Sequence, residues 1–188
     1  MKNKRMFILA VLGLPFAGLI MAAVSHKQVT SDRIARGQYL VVYGGCNDCH
    51  TPLQMTAQGP VPDMKRMLSG HPETLQLPPP ELKEGPWFAK TAGMTAWAGP
   101  WGISYAPNLT PDVETGMGIW TEAMFISAMR TGRHMGSGRE ILPPMPWRNV
   151  GQLSDEDLKA VYAYLKSIPA IRNSVPRPSP PPGGAAFE

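Results

Sequence analysis

The chain of 188 residues contains only two cysteines, Cys46 and Cys49, and His50 follows the second one directly. Cysteines three residues apart lie on one face of a helical turn, so both thiols can reach the same flat ligand. Cys-x-x-Cys-His is the attachment sequence of a c-type haem, in which the thiols bond to the vinyl groups and the histidine ligates iron. The sequence therefore predicts one covalently bound haem c, held by Cys46, Cys49 and His50.

Two other uses of a Cys-x-x-Cys pair agree less well with this sequence. A structural zinc ion needs four protein ligands, and the chain has no second pair of cysteines. A thioredoxin-like redox pair follows a strand, whereas the residues before Cys46 have a helical pattern. Haem attachment is therefore the interpretation that the motif favours.

A methionine towards the other end of the chain is the candidate for a second iron ligand. Methionine in that position raises the reduction potential of a haem. Met145 lies in Leu-Pro-Pro-Met-Pro-Trp (142–147), where the prolines predict a stiff, extended loop that can hold a thioether against iron. The expected metal ligands are thus His50 and Met145. Other side chains remain open as alternatives to the methionine: Met117, Met124, Met135, His71 and His134.

Three helices are predicted around these motifs. Ser31 and Asp32 can cap a helix over about residues 33–43, which ends just before the haem motif. Thr121 can cap a second helix that ends before Gly132. Ser154, which three acidic residues follow, starts a third helix with a regular apolar stripe.

The N-terminal segment, residues 1–25, has the pattern of a secretory signal peptide or of an uncleaved membrane anchor. Lys2, Lys4 and Arg5 precede an uncharged apolar run over residues 6–24. Either alternative places the rest of the chain outside the cytoplasmic membrane. Without this segment the formal charge falls from +4 to about +1, so the high pI does not indicate nucleic-acid binding.

The remaining chain divides into a domain and a tail. Residues 31–172 are expected to form one monohaem domain. Residues 173–188 are rich in proline and glycine and are predicted to be a disordered tail. The 21 prolines and 19 glycines of the chain also favour a loop-rich fold with short helices.

Together these motifs resemble those of class I c-type cytochromes, with the haem motif near the start of the domain and Met145 near its end. The sequence is more specifically similar to the cytochrome subunits of membrane-bound bacterial dehydrogenases for alcohols, aldehydes and sugar acids. The similarity covers about residues 32–170. The stretches that support it are Gly-Gln-Tyr-Leu (37–40), Ala-Pro-Asn-Leu-Thr-Pro-Asp (106–112), Thr-Gly-Met-Gly-Ile-Trp (115–120) and Pro-Met-Pro-Trp (144–147). Those subunits often carry several haems, whereas this chain has one attachment motif.

The resemblance implies an all-α class I cytochrome c fold, with residues 51–105 as a long, loop-rich insertion between the haem motif and Met145. It also implies that the first and last helices cross closely at Gly37, although a glycine merely tolerated in the helix is an alternative. In such folds a proline carbonyl beyond the motif accepts the Nδ1–H of the ligating histidine. Pro60 is the candidate for this role, unless it is only a turn residue.

The implied function is electron transfer, and the chain is expected not to be an enzyme. It would carry single electrons in the periplasm between a dehydrogenase, another cytochrome or a terminal oxidase and the respiratory chain. Nucleic-acid binding is not expected, and membrane association through residues 6–24 is an open alternative. If Met145 does not bind iron, the alternative is a five-coordinate haem protein with peroxidase-like or gas-sensing activity.

Overall fold

The computed structural model of the protein describes residues 14–80, 85 and 87–181, without the side chains of residues 14–27. The helices in this part of the chain are α1 (Leu14–Tyr43), α2 (Cys46–His50), α3 (Glu122–Thr131), α4 (Trp147–Val150) and α5 (Asp155–Ser167). Two single 3₁₀ turns are present at Met64–Arg66 and His134–Gly136. The strands are β1 (Leu53–Thr56), β2 (Gly59–Pro62), β3 (Ala89–Lys90), β4 (Ala96–Gly99) and β5 (Gly102–Tyr105).

The predicted signal peptide or anchor, residues 1–25, falls mostly outside this description, because residues 1–13 are not described. In the described ranges, no helix combines the length and the apolar sequence that a membrane crossing requires. Of the predicted tail, residues 182–188 lie outside the described residues. Its first part makes defined contacts with the domain, including a short antiparallel bridge between Ser179 and Ile103.

The prediction of an all-α fold is wrong. The described residues form two antiparallel sheets as well as helices, and both sheets lie in the segment 51–105 that was expected to be loop-rich. One sheet pairs β1 with β2, and the other has the order β3-β4-β5. The strands are only two to four residues long. Such short strands leave too little sequence for a two-residue alternation to be recognised.

Turn residues explain why this segment forms hairpins. Gly59 (φ 107°) and Gly102 (φ 92°) begin the second strand of their respective hairpins in a backbone conformation that glycine adopts without strain. Proline cannot donate a hydrogen bond to a sheet. Pro60 and Pro62 are nevertheless tolerated in β2, because this strand has a neighbour on one side only.

The crossing of α1 and α5 at Gly37 is confirmed. A Cβ atom added to Gly37 would lie 1.9 Å from the Ala160 carbonyl oxygen and 2.8 Å from the Tyr164 Cβ. The two helices therefore touch backbone to backbone at this point. Arg36 adds a charged hydrogen bond to Asp157 of α5, with 2.8 Å between Arg36 Nε and Asp157 Oδ1. Helix α1 ends at Tyr43, as predicted, although it starts earlier than predicted.

The predicted helix ends are confirmed as well. The Thr121 hydroxyl accepts a hydrogen bond from the Met124 N–H, and Gly132 ends α3 in the left-handed conformation. The Ser154 hydroxyl accepts from the Asp157 N–H at the start of α5. These caps orient α3 and α5 around one apolar core, to which α1 also contributes. Its buried members are Val41, Leu68, Met117, Phe125, Ala128, Met129, Leu158, Val161, Tyr164 and Leu165.

Substitution of Gly37 by alanine tests the helix crossing. At an exposed helical position this change would stabilise the helix by about 1 kcal/mol. Here we expect the free energy of unfolding to fall by about 1–3 kcal/mol, because the added methyl group pushes α1 away from α5. Urea unfolding of the haem-loaded protein would measure this. Gly93→Ala is the control, since its Cβ would meet only the Thr95 hydroxyl at 3.9 Å. A stabilised Gly37→Ala protein would contradict the close crossing.

Candidate functional site

The haem motif forms a single helical turn, α2, directly after α1. Gly45 lets the chain change direction between the two helices, because its φ of 67° lies in the left-handed region. Cys46 and Cys49 have free thiols and are partly exposed. Their spacing in this turn directs both sulfur atoms to the same side. The turn can therefore present two thiols to one ligand.

The thiols themselves do not resemble those of a redox-active pair. Burial raises the pKa of the Cys46 thiol, and also that of the Cys49 thiol, where the nearby Asp48 carboxylate adds to the effect. Both thiols are therefore protonated at neutral pH. Thioredoxin-like cysteines need the opposite shift, since the thiolate is their reactive form. This electrostatic setting argues against the redox-pair interpretation of the motif.

His50 is buried, and its ring is oriented by a single backbone carbonyl. The distance from His50 Nδ1 to the Pro107 oxygen is 2.8 Å. A carbonyl can only accept, so Nδ1 carries the hydrogen and the lone pair lies on Nε2. Burial lowers the pKa of His50, which keeps the imidazole neutral, although the bond to Pro107 acts in the opposite direction. A neutral imidazole with a free Nε2 is the form that binds iron.

The prediction that Pro60 accepts this hydrogen bond is wrong. Pro60 is an exposed residue of β2, and Pro107 takes the role 57 residues beyond His50. The inserted hairpins separate the histidine from its partner in the sequence. In the sequence, Pro107 and Asn108 lie in a stretch rich in turn-forming residues. This composition predicts a turn, but it does not identify the carbonyl that accepts from the His50 ring.

A second segment, residues 68–71, was also missed by sequence analysis. It forms hydrogen bonds both to the haem turn and to the loop of residues 106–116, which contains Pro107 and is called the Pro107 loop below. The Gly70 N–H donates to the His50 carbonyl (2.7 Å), and the His71 N–H donates to the Ala106 carbonyl (2.9 Å). Gly70 has a φ of 81°, and a Cβ there would lie 2.4 Å from the Ala106 oxygen. A glycine is needed at this position because the two backbones pass so close together.

Met145 lies in a turn rather than in the extended loop that was predicted. Its N–H donates to the Leu142 carbonyl over 3.3 Å. Pro143, two residues before Met145, is bound to strand β5. The Ser104 hydroxyl of this strand donates a hydrogen bond to the Pro143 carbonyl (2.5 Å). The segment predicted as an insertion thus supports the methionine loop directly.

Met145 is one of the residues that line a cavity of about 660 Å³. This volume is within the range of about 300–1,000 Å³ that is usual for small-molecule and cofactor sites. The other walls include Gly132 and Trp147, together with Arg133 and Arg148. The cysteines and His50 are not among the lining residues. Cys46 and Met145 nevertheless pack against the same apolar core.

Three of the five alternatives to Met145 are engaged in other contacts in this arrangement. Both ring nitrogens of His71 are engaged, Nδ1 with the Thr95 hydroxyl (2.9 Å) and Nε2 with the Leu75 carbonyl (3.3 Å). Met117 is a core residue with 4% of its surface exposed. The His134 ring packs edge-on against Trp120, with 4.9 Å between the ring centres.

The residues present therefore fit a covalently bound haem. The α2 turn offers two protonated thiols and a neutral imidazole with a free Nε2, which is the donor set of haem c attachment. Met145, which lines a cavity, packs against the same core as Cys46. Such a set of donors is characteristic of haem c proteins.

The chain belongs to the cytochrome c family, whose family model matches residues 34–169. A cytochrome c domain implies covalently bound haem c and supports electron transfer as its function.

Curated relatives include cytochrome subunits of dehydrogenases. The chain is 30% identical over 156 residues to the gluconate 2-dehydrogenase cytochrome c subunit of Pantoea cypripedii, a match that covers 83% of this chain and 28% of the relative. It is 30% identical over 157 residues to the cytochrome c subunit of the quinone alcohol dehydrogenase of Gluconobacter oxydans, covering 81% and 26%. With the fructose dehydrogenase cytochrome subunit of Gluconobacter japonicus, it shares 29% identity over 132 residues, covering 70% and 20%. The chain thus spans less than a third of the length of these relatives.

The buried His71 makes the stability of the fold sensitive to acid. Burial lowers the pKa of His71, and the nearby Arg66 also contributes to this shift. Above a pH of about 6.5, His71 is neutral in both the folded and the unfolded chain. At lower pH the unfolded chain gains a proton that the folded protein resists, so the free energy of unfolding falls by up to about 1.4 kcal/mol per pH unit.

Urea unfolding of the haem-loaded protein between pH 7 and pH 5 would measure this dependence. We expect His71→Gln to reduce the slope below pH 6.5. Burial also lowers the pKa of His134, so His134→Gln should reduce the slope as well, whereas Gln58→Ala, a substitution at an exposed position, is the control that should leave it unchanged. An unchanged slope in His71→Gln would show that other groups cause the acid sensitivity.

Proposed function

We propose that the chain is a periplasmic c-type cytochrome with one haem, which carries single electrons between a dehydrogenase or another redox protein and the respiratory chain. Bound haem supplies a one-electron couple between ferric and ferrous iron. The observation that carries the proposal is the geometry of His50, whose Nδ1–H is fixed by the Pro107 carbonyl and whose Nε2 is free. Cys46 and Cys49 precede it in the same turn and have free thiols.

Each of these residues has a separate task in the proposal. Cys46 and Cys49 fix the haem in place by thioether bonds. His50 would bind iron through Nε2, and its bond to Pro107 would make that nitrogen more electron-rich. Met145 would supply a thioether sulfur, a ligand that favours the reduced state. With both ligands bound, iron would have no open position for a substrate, so the proposed role is that of a carrier rather than of an enzyme.

A dehydrogenase is the proposed partner for two reasons. Three of the relatives are named as cytochrome subunits of dehydrogenases. In addition, apolar side chains next to the haem motif are exposed, among them Val42 (62%), Tyr43 (80%) and Met55 (79%). Aromatic and methionine side chains are enriched in protein interfaces. Exposed side chains of these types near the haem motif in the sequence are consistent with contact with a protein partner.

The proposed location follows from residues 1–25, as a cleaved signal peptide or a retained anchor. Residues 31–172 form the proposed monohaem domain. The number of haems is proposed from the single Cys-x-x-Cys-His motif in the sequence.

Optical spectra of the oxidised and reduced protein, with and without carbon monoxide, test the axial ligands. We expect a low-spin c-type spectrum, a weak thioether–iron band at the red edge, and no binding of carbon monoxide. Met145→Ala should lose the band and bind carbon monoxide, because the sixth position opens. Met124→Ala is the control, since Met124 is a partly buried residue of α3.

The same spectra can contradict the proposal. If the unaltered protein is high-spin and binds carbon monoxide readily, it has an open coordination site and the electron-carrier function is wrong. If Met124→Ala, rather than Met145→Ala, loses the band, the function stands but the ligand assignment is wrong.

Mass spectrometry of the intact protein tests the haem number and the N-terminus. We expect the mass of one haem on the polypeptide and, if the signal peptide is cleaved, a start near residue 26. Cys49→Ser should retain haem through one thioether bond only, and the double variant Cys46→Ser/Cys49→Ser should lose haem under denaturing conditions. A mass that corresponds to two haems, or haem retained by the denatured double variant, would contradict the attachment scheme.

A further inference from the structure

Asn173 lies in the segment that follows α5 and is buried, with 3% of its surface exposed. It falls outside residues 34–169, the range that the cytochrome c family model matches. It also falls at the start of the sequence segment whose composition predicts a disordered tail. A buried polar side chain at this position requires partners, because an unsatisfied amide would destabilise the fold.

The Asn173 side chain is bound to the segment 69–73. Its Nδ2 donates to the Ser69 carbonyl (2.7 Å) and to the His71 carbonyl (2.8 Å). Its Oδ1 accepts from the Glu73 N–H (2.9 Å). Three hydrogen bonds from one amide fix the path of this segment next to the haem turn.

The backbone around Asn173 binds the Pro107 loop. The Asn173 N–H donates to the Thr115 hydroxyl (3.0 Å), which also accepts from Asn108 Nδ2 (3.2 Å). The same Asn108 nitrogen donates to the Ile171 carbonyl (2.8 Å). Asn108 directly follows Pro107, so these bonds hold the residue next to the carbonyl that orients His50.

Both segments converge on His50. Gly70, between Ser69 and His71, donates to the His50 carbonyl (2.7 Å). Pro107 accepts from the His50 ring (2.8 Å). Asn173 bonds both to residues 69–71 and to Thr115 of the Pro107 loop. A shift of either segment would therefore change the distance between the His50 ring and the Pro107 carbonyl.

We propose that Asn173 is a positioning residue for the axial histidine. By holding residues 69–71 and the Pro107 loop together, it keeps the Pro107 carbonyl at His50 Nδ1 and so sets how electron-rich the imidazole is. This inference rests on the proposed function, because it concerns His50 as an iron ligand. Weakening the bond to Pro107 makes the imidazole a poorer donor and favours ferrous iron.

The experiment compares Asn173→Ala with Arg172→Ala in the haem-loaded protein. Arg172 connects the same two loops from the surface, through ion pairs to Glu73 (3.8 Å) and Glu114 (3.4 Å). Exposed ion pairs of this kind contribute little. Both variants therefore touch the same loops, but only one removes the buried amide.

Two measurements follow the axial histidine. In Asn173→Ala we expect the reduction potential to rise, with the equilibrium between ferrous and ferric protein shifted about threefold, or roughly 30 mV for a one-electron couple. We also expect the His50 Nδ1 proton, followed by NMR in the reduced protein, to exchange faster with solvent. Arg172→Ala should leave both values unchanged.

A merely structural role gives a different result. If Asn173→Ala lowers the resistance to urea but changes neither the potential nor the proton exchange, the positioning role is overturned. A protein without low-spin haem before any substitution would instead overturn the proposed function itself.

Thr115→Val provides a second test if Asn173→Ala does not fold. This change keeps the side-chain volume and removes the hydroxyl, which accepts from the Asn173 N–H and from Asn108 Nδ2 and donates to Asp112 Oδ1. We expect a rise in potential in the same direction but smaller, and an unchanged potential in a folded Thr115→Val protein would overturn the inference.

Discussion

The hydrogen bond between the His50 ring and the Pro107 carbonyl is the interaction on which the rest of the structure depends. It fixes the tautomer of the imidazole and frees Nε2, and it joins residues 57 positions apart. The close crossing of α1 and α5 places the haem turn at one side of the core. The segment 68–71 bonds to the His50 carbonyl and to the Ala106 carbonyl next to Pro107, so it connects the backbones on either side of this hydrogen bond.

Features that depend on neighbouring residues could be predicted from the sequence. The haem motif, the Thr121 and Ser154 caps and the end of α1 follow from local rules, and the structure has them. The crossing at Gly37 followed from the family resemblance. The sheets could not be predicted, because strands of two to four residues carry no readable periodicity. Pro107 could not be identified as the acceptor, because its distance from His50 depends on how the inserted hairpins fold.

Short polar side chains bond to backbone groups in the interior of this protein. Thr51, Asn108, Thr110 and Asn173 are all buried, and each forms a hydrogen bond with a backbone N–H or carbonyl of another segment. A loop-rich chain has few ladder hydrogen bonds, so its buried backbone groups need other partners. Short polar side chains meet this need, which explains how a sequence with so much proline and glycine can still define one arrangement.

The helix crossing also has a consequence for the order in which the chain is made. Arg36 and its partner Asp157 are 121 residues apart. At the usual rate of synthesis of about 5–20 residues per second, roughly 6 to 24 seconds pass between the appearance of α1 and that of α5. The thiols of α2 are made at the start of this interval. The two thiols are therefore present for seconds on an incompletely folded chain, before α5 has been made and can pack against α1.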